Sequence, residues 1–130
     1  DFDKVIQINP LAASAYNNRG VAYKNDGRLI QSITDFDKAI QINPYYSSAY
    51  CNRGIAYHKK GDLKGALIDL DKALKIEPDF SIALYHRAMV YFLMYEYEKA
   101  REDLNRAQEL GCKIPAEFLG TLEKLLPKER

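Results

Sequence analysis

Apolar residues recur along most of the chain at spacings of three and four, which is the pattern of amphipathic helices and not of strands. Most of these stretches end at a turn signal, which is Asp-Gly, Gly-Asp, Asn-Pro or Glu-Pro. The turn of the third unit is instead Tyr95-Glu96. The pattern predicts the end of a helix over residues 1–8. It predicts further helices over 13–25, 29–42, 47–60, 63–76, 81–94, 97–110 and 116–126.

The helices come in pairs that repeat every 34 residues. The first member of each pair carries YNNRGVAY (16–23), YCNRGIAY (50–57) and LYHRAMVY (84–91). The end of the second member carries DFDKVIQINP (1–10), DFDKAIQINP (35–44) and DLDKALKIEP (69–78). A fixed period of this length is typical of proteins built from stacked repeats.

These motifs resemble the tetratricopeptide repeat (TPR). Its first helix has large, small and large residues, which Tyr16, Gly20 and Tyr23 supply, and its second helix is matched by Phe36 and Ala39. The resemblance implies an all-α fold, a right-handed solenoid of antiparallel helix pairs with a C-terminal capping helix.

The same resemblance implies a single TPR domain over residues 1–130. Its expected parts are a residual second helix (1–12), repeat 1 (13–46), repeat 2 (47–80), repeat 3 (81–114) and a capping helix (115–126). Pro115 suits the first turn of that last helix, since its missing N–H is not needed there. A terminal helix of this kind covers the apolar face that the last repeat would otherwise expose.

Charge and composition exclude several classes of function. A net charge of +1 over 130 residues gives no overall footprint for nucleic acid or for an anionic membrane, so neither partner is expected. No apolar run approaches the length of a membrane-spanning helix. Cys51 and Cys112 do not have a metal-ligand or redox spacing and are predicted to be free thiols, so no cofactor or metal is expected.

A candidate binding surface lies on the first helices, opposite the large-small-large residues. In TPR proteins this face lines a concave groove that holds a partner's peptide, so the resemblance implies a protein or peptide partner. The candidate groove residues are Asn17, Asn18, Val21, Asn52, Ile55, Lys59, Ile82, Tyr85, His86 and Met89.

Two features of this face favour a binding role. Asn18 and Asn52 are repeat-equivalent, and an amide offers a donor and an acceptor that can hold a peptide backbone. The alternative is that they are ordinary solvated residues. The face becomes apolar in repeat 3, with Ile82, Tyr85 and Met89, which is typical of a binding patch unless the C-terminal helix packs over part of it.

One ligand known in the family is not favoured. TPR domains that hold the C-terminal carboxylate of chaperones use two Lys, two Asn and one Arg. The corresponding residues here are Asn17, Val21, Asn52, Ile82 and His86, and only Asn52 matches.

Three arginines that project with the core face need partners. Arg19, Arg53 and Arg87 recur in the first helices, and aspartates recur in the second helices at 35, 69 and 103. A charge in such a position is costly unless it is paired. We expect each Arg to pair with an Asp of an adjacent second helix.

The sequence predicts a scaffold for protein–protein interaction and not an enzyme. It has no nucleophile elbow, no phosphate loop and no paired carboxylates, and its two histidines have no ligand spacing. Two alternatives remain open. The repeats could be a regulatory or substrate-presenting module of a larger enzyme, or the chain could assemble with itself through an uncapped N-terminal end.

Overall fold

Residues 10–126 form seven α-helices and no strand in the computed structural model, which describes this part of the chain. The helices are α1 (Pro10–Asn25), α2 (Leu29–Ile42), α3 (Ser47–Lys60), α4 (Leu63–Ile76), α5 (Ser81–Leu93), α6 (Tyr97–Glu109) and α7 (Ala116–Leu125). They divide into unit 1, which ends at Pro78, and unit 2, which begins at Asp79. The helix expected over residues 1–8 lies outside the described residues.

The predicted helix bounds agree with the structure except at a few ends. Helix α1 begins at Pro10 and not at residue 13, because proline is tolerated in the first turn of a helix, where its missing N–H has no partner in any case. The last three helices each end one residue before the predicted end.

The turn inside each repeat needs one residue with positive φ. Gly27 and Gly61 fill this position with φ of 82° and 92°. In the third repeat the same position is Tyr95, with φ of 63°, and it is the only non-glycine residue with positive φ in residues 10–126. A residue with a Cβ is strained in this conformation, so the third turn carries strain that the first two do not.

Small residues let the helices of a pair approach closely. A Cβ placed on Gly20 would lie 2.5 Å from the Phe36 ring, and one on Gly54 would lie 3.0 Å from Cγ of Leu70. Phe36 and Leu70 are fully buried as a result. The small residue of the large-small-large pattern is therefore the position at which the two helices of a pair make close contact.

The Arg–Asp pairing expected from the sequence is confirmed. Each arginine donates two hydrogen bonds of 2.7 and 2.8 Å to the carboxylate 16 residues later, in Arg19–Asp35, Arg53–Asp69 and Arg87–Asp103. Arg53 also donates a 2.8 Å bond to Asp37, so it joins helix α3 to both α2 and α4. A planar guanidinium can satisfy two carboxylates in this way, which a lysine cannot do.

Tyrosine rings enclose these arginines. The guanidinium carbon of Arg19 lies 5.7 and 5.8 Å from the ring centres of Tyr16 and Tyr23, and Arg53 has the same arrangement with the tyrosines of its own repeat. Cation–π attraction adds to the ion pair at these distances. In the first two repeats the tyrosines at the ends of the octapeptide thus hold the arginine between them. In the third repeat the first of these positions is Leu84, and Arg87 lies 5.6 Å from the ring centre of Tyr91.

Unit 2 has its own core around helices α5, α6 and α7. Ala88, Leu104, Leu122 and Leu126 are buried together, and Phe118 packs against them. Leu125, the last residue of helix α7, is 45% exposed. Leu122 on the last helix and Leu126, which directly follows that helix, are the residues of this segment that are buried.

Candidate functional site

In unit 1 the first helices of the two repeats are joined by side-chain amides. Asn52 Nδ2 on α3 donates to Oδ1 of Asn17 on α1 at 3.1 Å. Asn17 Nδ2 in turn donates to the hydroxyl of Tyr46, the residue before α3, at 3.4 Å. Asn17 is buried and Asn52 is half-buried. This arrangement fixes the orientation of the Asn52 amide and leaves its oxygen without a donor among these contacts.

Asn18, the repeat equivalent of Asn52, lies exposed. The structure brings Asn52 together with Asn17, one residue earlier on the helix. One step along a helix rotates a side chain by about 100°, so only one of two adjacent asparagines can reach α3.

The other predicted groove residues of unit 1 differ in how much surface they offer. Lys59 is exposed and Val21 is half-buried. Ile55 is only 7% exposed, so it belongs mainly to the core and presents little area to a ligand. Sequence periodicity did not reveal how deep Ile55 lies.

Two basic residues on the same helices as the amides, Lys24 and His58, have pKa values that burial lowers. Burial lowers the pKa of Lys24 below its usual value, and the charge of Lys59 lowers it further. Burial likewise lowers the pKa of His58, with Lys59 again as the second cause. Both effects disfavour the charged form, since the group loses water and faces a like charge.

Cys51 lies beside this surface but is not available to it. It is buried, and burial raises the pKa of its thiol to about 12. Cys51 and Cys112 are both free cysteines, as predicted. A thiol that stays protonated at neutral pH is a poor nucleophile and a poor metal ligand.

The predicted residues of unit 2 form a separate apolar surface. Ile82 is 52% exposed, and Tyr85, His86 and Met89 are half-buried. A cavity of about 250 Å³ is lined by Tyr85, Met89, Phe92, Leu93 and Phe118.

Aromatic rings build the wall of this cavity. Phe118 of α7 meets Tyr85 and Phe92 of α5 edge to face, with ring centres 6.4 and 5.3 Å apart. Perpendicular contacts of this kind are favourable beyond simple burial. The C-terminal helix therefore does pack over part of the apolar patch, as the sequence left open, and the remainder is the cavity.

Residues 10–126 contain no group of three or more His, Cys, Asp or Glu side chains placed to hold a metal ion. Among these residues, no helix combines the length and apolarity needed to cross a bilayer.

Sequence reasoning missed the role of Tyr46. Its position just before a helix carries no periodic signal, because the equivalent residues in the other repeats are Ala12 and Phe80, which have no hydroxyl. Comparison of equivalent positions shows the difference, but only the structure shows that the hydroxyl accepts from Asn17.

Family profiles and solved structures both match the chain. Profiles described as tetratricopeptide repeat match residues 13–46 and 47–80, and a second profile of the same description matches residues 82–110. No curated protein matches the chain.

Several solved structures are similar to the chain. The first TPR of Spaghetti (RPAP3) bound to HSP90 peptide SRMEEVD has a TM-score of 0.82 at 23% identity, over 90% of this chain and 92% of that one. The Arabidopsis OM64 TPR domain has a TM-score of 0.85 at 22% identity, over 91% and 99%. The first TPR domain of the human RPAP3 protein has a TM-score of 0.84 at 22% identity, over 90% and 94%. At these identities the similarity shows the fold alone, an all-α solenoid of helix pairs followed by a C-terminal helix.

Proposed function

The chain belongs to the tetratricopeptide repeat family, whose members are scaffolds for protein interaction, and we propose that it binds an extended peptide segment of a protein partner along its first helices. In unit 1 the proposed contact residues are Asn17, Asn18, Val21, Asn52, Ile55 and Lys59. In unit 2 they are Ile82, Tyr85, His86 and Met89.

The observation that carries this proposal is the Asn52 amide. Its orientation is set by the 3.1 Å bond to Asn17, and it remains half-buried and open to a ligand. A fixed amide offers an acceptor and a second N–H at the same place, which suits the alternating N–H and C=O groups of an extended backbone. Preorganisation of this kind lowers the entropy lost on binding.

The cavity of unit 2 supports the proposal from a different direction. Its walls are apolar and partly rigid, because the ring of Phe118 is fixed by two edge-to-face contacts. Such a cavity can bind an apolar side chain of a peptide. The Asn52 amide, which is proposed to hold a peptide backbone, does not supply an apolar contact of this kind.

The HSP90 peptide bound by one of the structural neighbours is not the ligand that we propose for this chain. The RPAP3 domain is described as bound to an HSP90 peptide, which ends in a carboxylate. Of the residues that hold such a carboxylate in chaperone-binding TPR domains, this chain retains Asn52 alone. We propose a ligand that is held through its backbone and not through its C-terminus.

A binding selection tests the proposal. A displayed library of random peptides is panned on the whole chain, and the affinity of a selected peptide is measured for the wild type, Asn52→Ala and Gln41→Ala. Loss of a hydrogen bond to a half-buried amide should weaken binding about tenfold in Asn52→Ala. Gln41→Ala is the matched control and should stay within about twofold, because Gln41 is an exposed amide on the second helix α2 and is not among the proposed contact residues.

Circular dichroism at matched concentrations checks that both variants keep their helices. Equal affinity of the wild type and Asn52→Ala for every selected peptide would contradict the proposed backbone contact. Selection of no peptide at all would contradict the proposed function as a whole.

A second candidate function is self-association, and one specific observation favours it. The Arg19 side chain is 54% exposed, against 20% for Arg53, which also bonds Asp37 of the preceding repeat. The residue that corresponds to Asp37 one repeat earlier is Asp3, which lies outside the described residues. Another copy that offers a carboxylate and apolar side chains to Arg19 and the exposed Ile30 would cover this face.

Sedimentation equilibrium over a wide concentration range tests self-association. The expected result is a mass that rises with concentration and returns to the monomer value in Ile30→Lys, whose side chain is 69% exposed in the wild type. A wild type that stays monomeric throughout would exclude this second function and leave peptide binding untouched.

A further inference from the structure

The acidic residues of the helices in unit 1 are confined to the second helix of each pair. In unit 1 the first helices α1 and α3 contain no Asp or Glu, whereas the second helices α2 and α4 contain two Asp each. The arginines of the first helices are neutralised, because Arg19 and Arg53 are bound to those aspartates. The lysines on the first helices of unit 1 are Lys24, Lys59 and Lys60.

The amide contact fixes the register of these lysines. Asn17 and Asn52 touch across α1 and α3 at 3.1 Å, and Lys24 and Lys59 each lie seven residues further along their own helix. Seven residues are almost two full turns, so a side chain returns to within about 20° of its starting direction and lies about 10 Å along the axis. Lys24 and Lys59 therefore lie side by side on the face of the amides, near the C-terminal ends of both helices.

A lysine in the last turn of a helix is favourable in itself, because it opposes the negative end of the helix dipole. That effect does not require the two lysines to share a face. Their proximity has an electrostatic penalty, which is seen in the effect of Lys59 on the pKa of Lys24. An anion placed between them would remove this repulsion.

We propose that the segment bound by unit 1 carries a side-chain carboxylate that lies between Lys24 and Lys59. This inference rests on the proposed function and names the chemistry of its ligand. The separation of about 10 Å along the helices equals about three residues of extended chain, at about 3.3 Å each. The acidic residue is thus about three positions from the residue whose backbone Asn52 holds.

This site is different from the carboxylate clamp of chaperone-binding TPR domains. The positions that correspond to that clamp are Asn17, Val21, Asn52, Ile82 and His86, and neither Lys24 nor Lys59 is among them. The carboxylate proposed here belongs to a side chain within the segment and needs no free C-terminus.

Three peptides of about ten residues, each with a fluorophore on the N-terminal amine and an amidated C-terminus, serve as probes: repeated Ser-Glu, repeated Ser-Gln and repeated Ser-Lys. Because the ends are blocked, only side chains differ. Binding to the whole chain is followed by fluorescence anisotropy at low salt. We expect the Ser-Glu peptide to bind about tenfold more tightly than Ser-Gln, Ser-Lys to bind most weakly, and the difference to shrink as salt is raised.

Three variants locate the effect. Lys24→Gln and Lys59→Gln should each weaken binding of the Ser-Glu peptide about threefold to fivefold, as expected for loss of one partly solvated ion pair. Lys60→Gln is the matched control, because Lys60 is in the same turn and exposed but about 100° around the helix from Lys59. It should change the affinity by less than about twofold.

The outcomes separate the inference from the proposed function. If Ser-Gln binds as tightly as Ser-Glu, and Asn52→Ala weakens both, the peptide function stands and the carboxylate site is overturned. If Lys60→Gln weakens Ser-Glu binding as much as Lys59→Gln, attraction is non-specific and the site is overturned. A single-stranded oligodeoxythymidine that binds more tightly than Ser-Glu would overturn the peptide chemistry in favour of nucleic acid.

Discussion

Replacing Asp69 by Asn tests how much the buried Arg–Asp pairs contribute to stability. The Asp69 side chain is 4% exposed and accepts bonds of 2.7 and 2.8 Å from Arg53, whose side chain is 20% exposed. Asparagine keeps the shape but turns an N–H toward the guanidinium and removes the negative charge. Breaking a buried pair from one side costs about 3 to 5 kcal/mol, and we expect about 3 because Arg53 keeps its bond to Asp37.

The same substitution elsewhere in unit 1 gives two matched comparisons. Asp35→Asn should cost only about 1.5 kcal/mol, because Arg19 is 54% exposed and water can replace the lost acceptor. Asp26→Asn should cost about 0.5 kcal/mol or less, because the Arg28–Asp26 pair of 3.0 Å is exposed on both sides. The expected order follows the exposure of the arginine and not the length of the bond.

Urea unfolding followed by circular dichroism measures the three losses. With a slope of about 1.5 kcal/mol per molar urea, the midpoints should fall by about 2 M for Asp69→Asn and about 1 M for Asp35→Asn. The comparison requires equal slopes, since repeat proteins can unfold in more than one step. Equal losses for Asp69→Asn and Asp35→Asn would refute the argument from exposure. A loss for Asp69→Asn as small as that for Asp26→Asn would refute the role of the pair.

Three further predictions concern the turns, the helix contacts and pH. Tyr95→Gly should stabilise the chain by about 1 kcal/mol in thermal unfolding, because φ of 63° is free of strain only for glycine; a lower midpoint would contradict this. Gly20→Ala should destabilise by about 1 to 3 kcal/mol, because its Cβ would lie 2.5 Å from the Phe36 ring. Gly120→Ala is its control and should be neutral or slightly stabilising, since no atom lies within 4 Å of its added Cβ and alanine has the better helix propensity; equal losses at both sites would disprove the packing argument. The pKa of His58 is lowered in the folded chain. The stability that the neutral imidazole contributes is therefore present above the unfolded-state pKa of about 6.5, and it is lost as pH falls through the folded-state pKa. His58→Gln should flatten the change in urea midpoint between about pH 7 and pH 5, and an unchanged profile would count against it.

Much of the fold could be predicted from the sequence because the same local pattern occurs three times. The helix bounds follow from the spacing of apolar residues and from glycine and proline at the turns. The pairing of Arg53 with Asp69 follows from the recurrence of both residues at the same offset in each repeat. It also follows from electrostatics, since an arginine on the core face must find a carboxylate.

The candidate site was less predictable, because it depends on side chains that do not repeat. Equivalence between repeats pointed to Asn18 as the counterpart of Asn52, but the partner is Asn17. Tyr46 joins this contact from a loop, where no periodicity exists to indicate it.

The sequence by itself determined the repeat length, the helices, the family and the Arg–Asp pairs, because each depends on spacing along the chain. Only the tertiary structure decided that Asn17 reaches α3, that Ile55 is core, and that Phe118 covers part of the apolar patch. These outcomes depend on rotations of a helix by a fraction of a turn and on distances of a few ångströms between elements. Periodicity fixes which face a residue is on, but packing fixes how deep it lies and which side chain it meets.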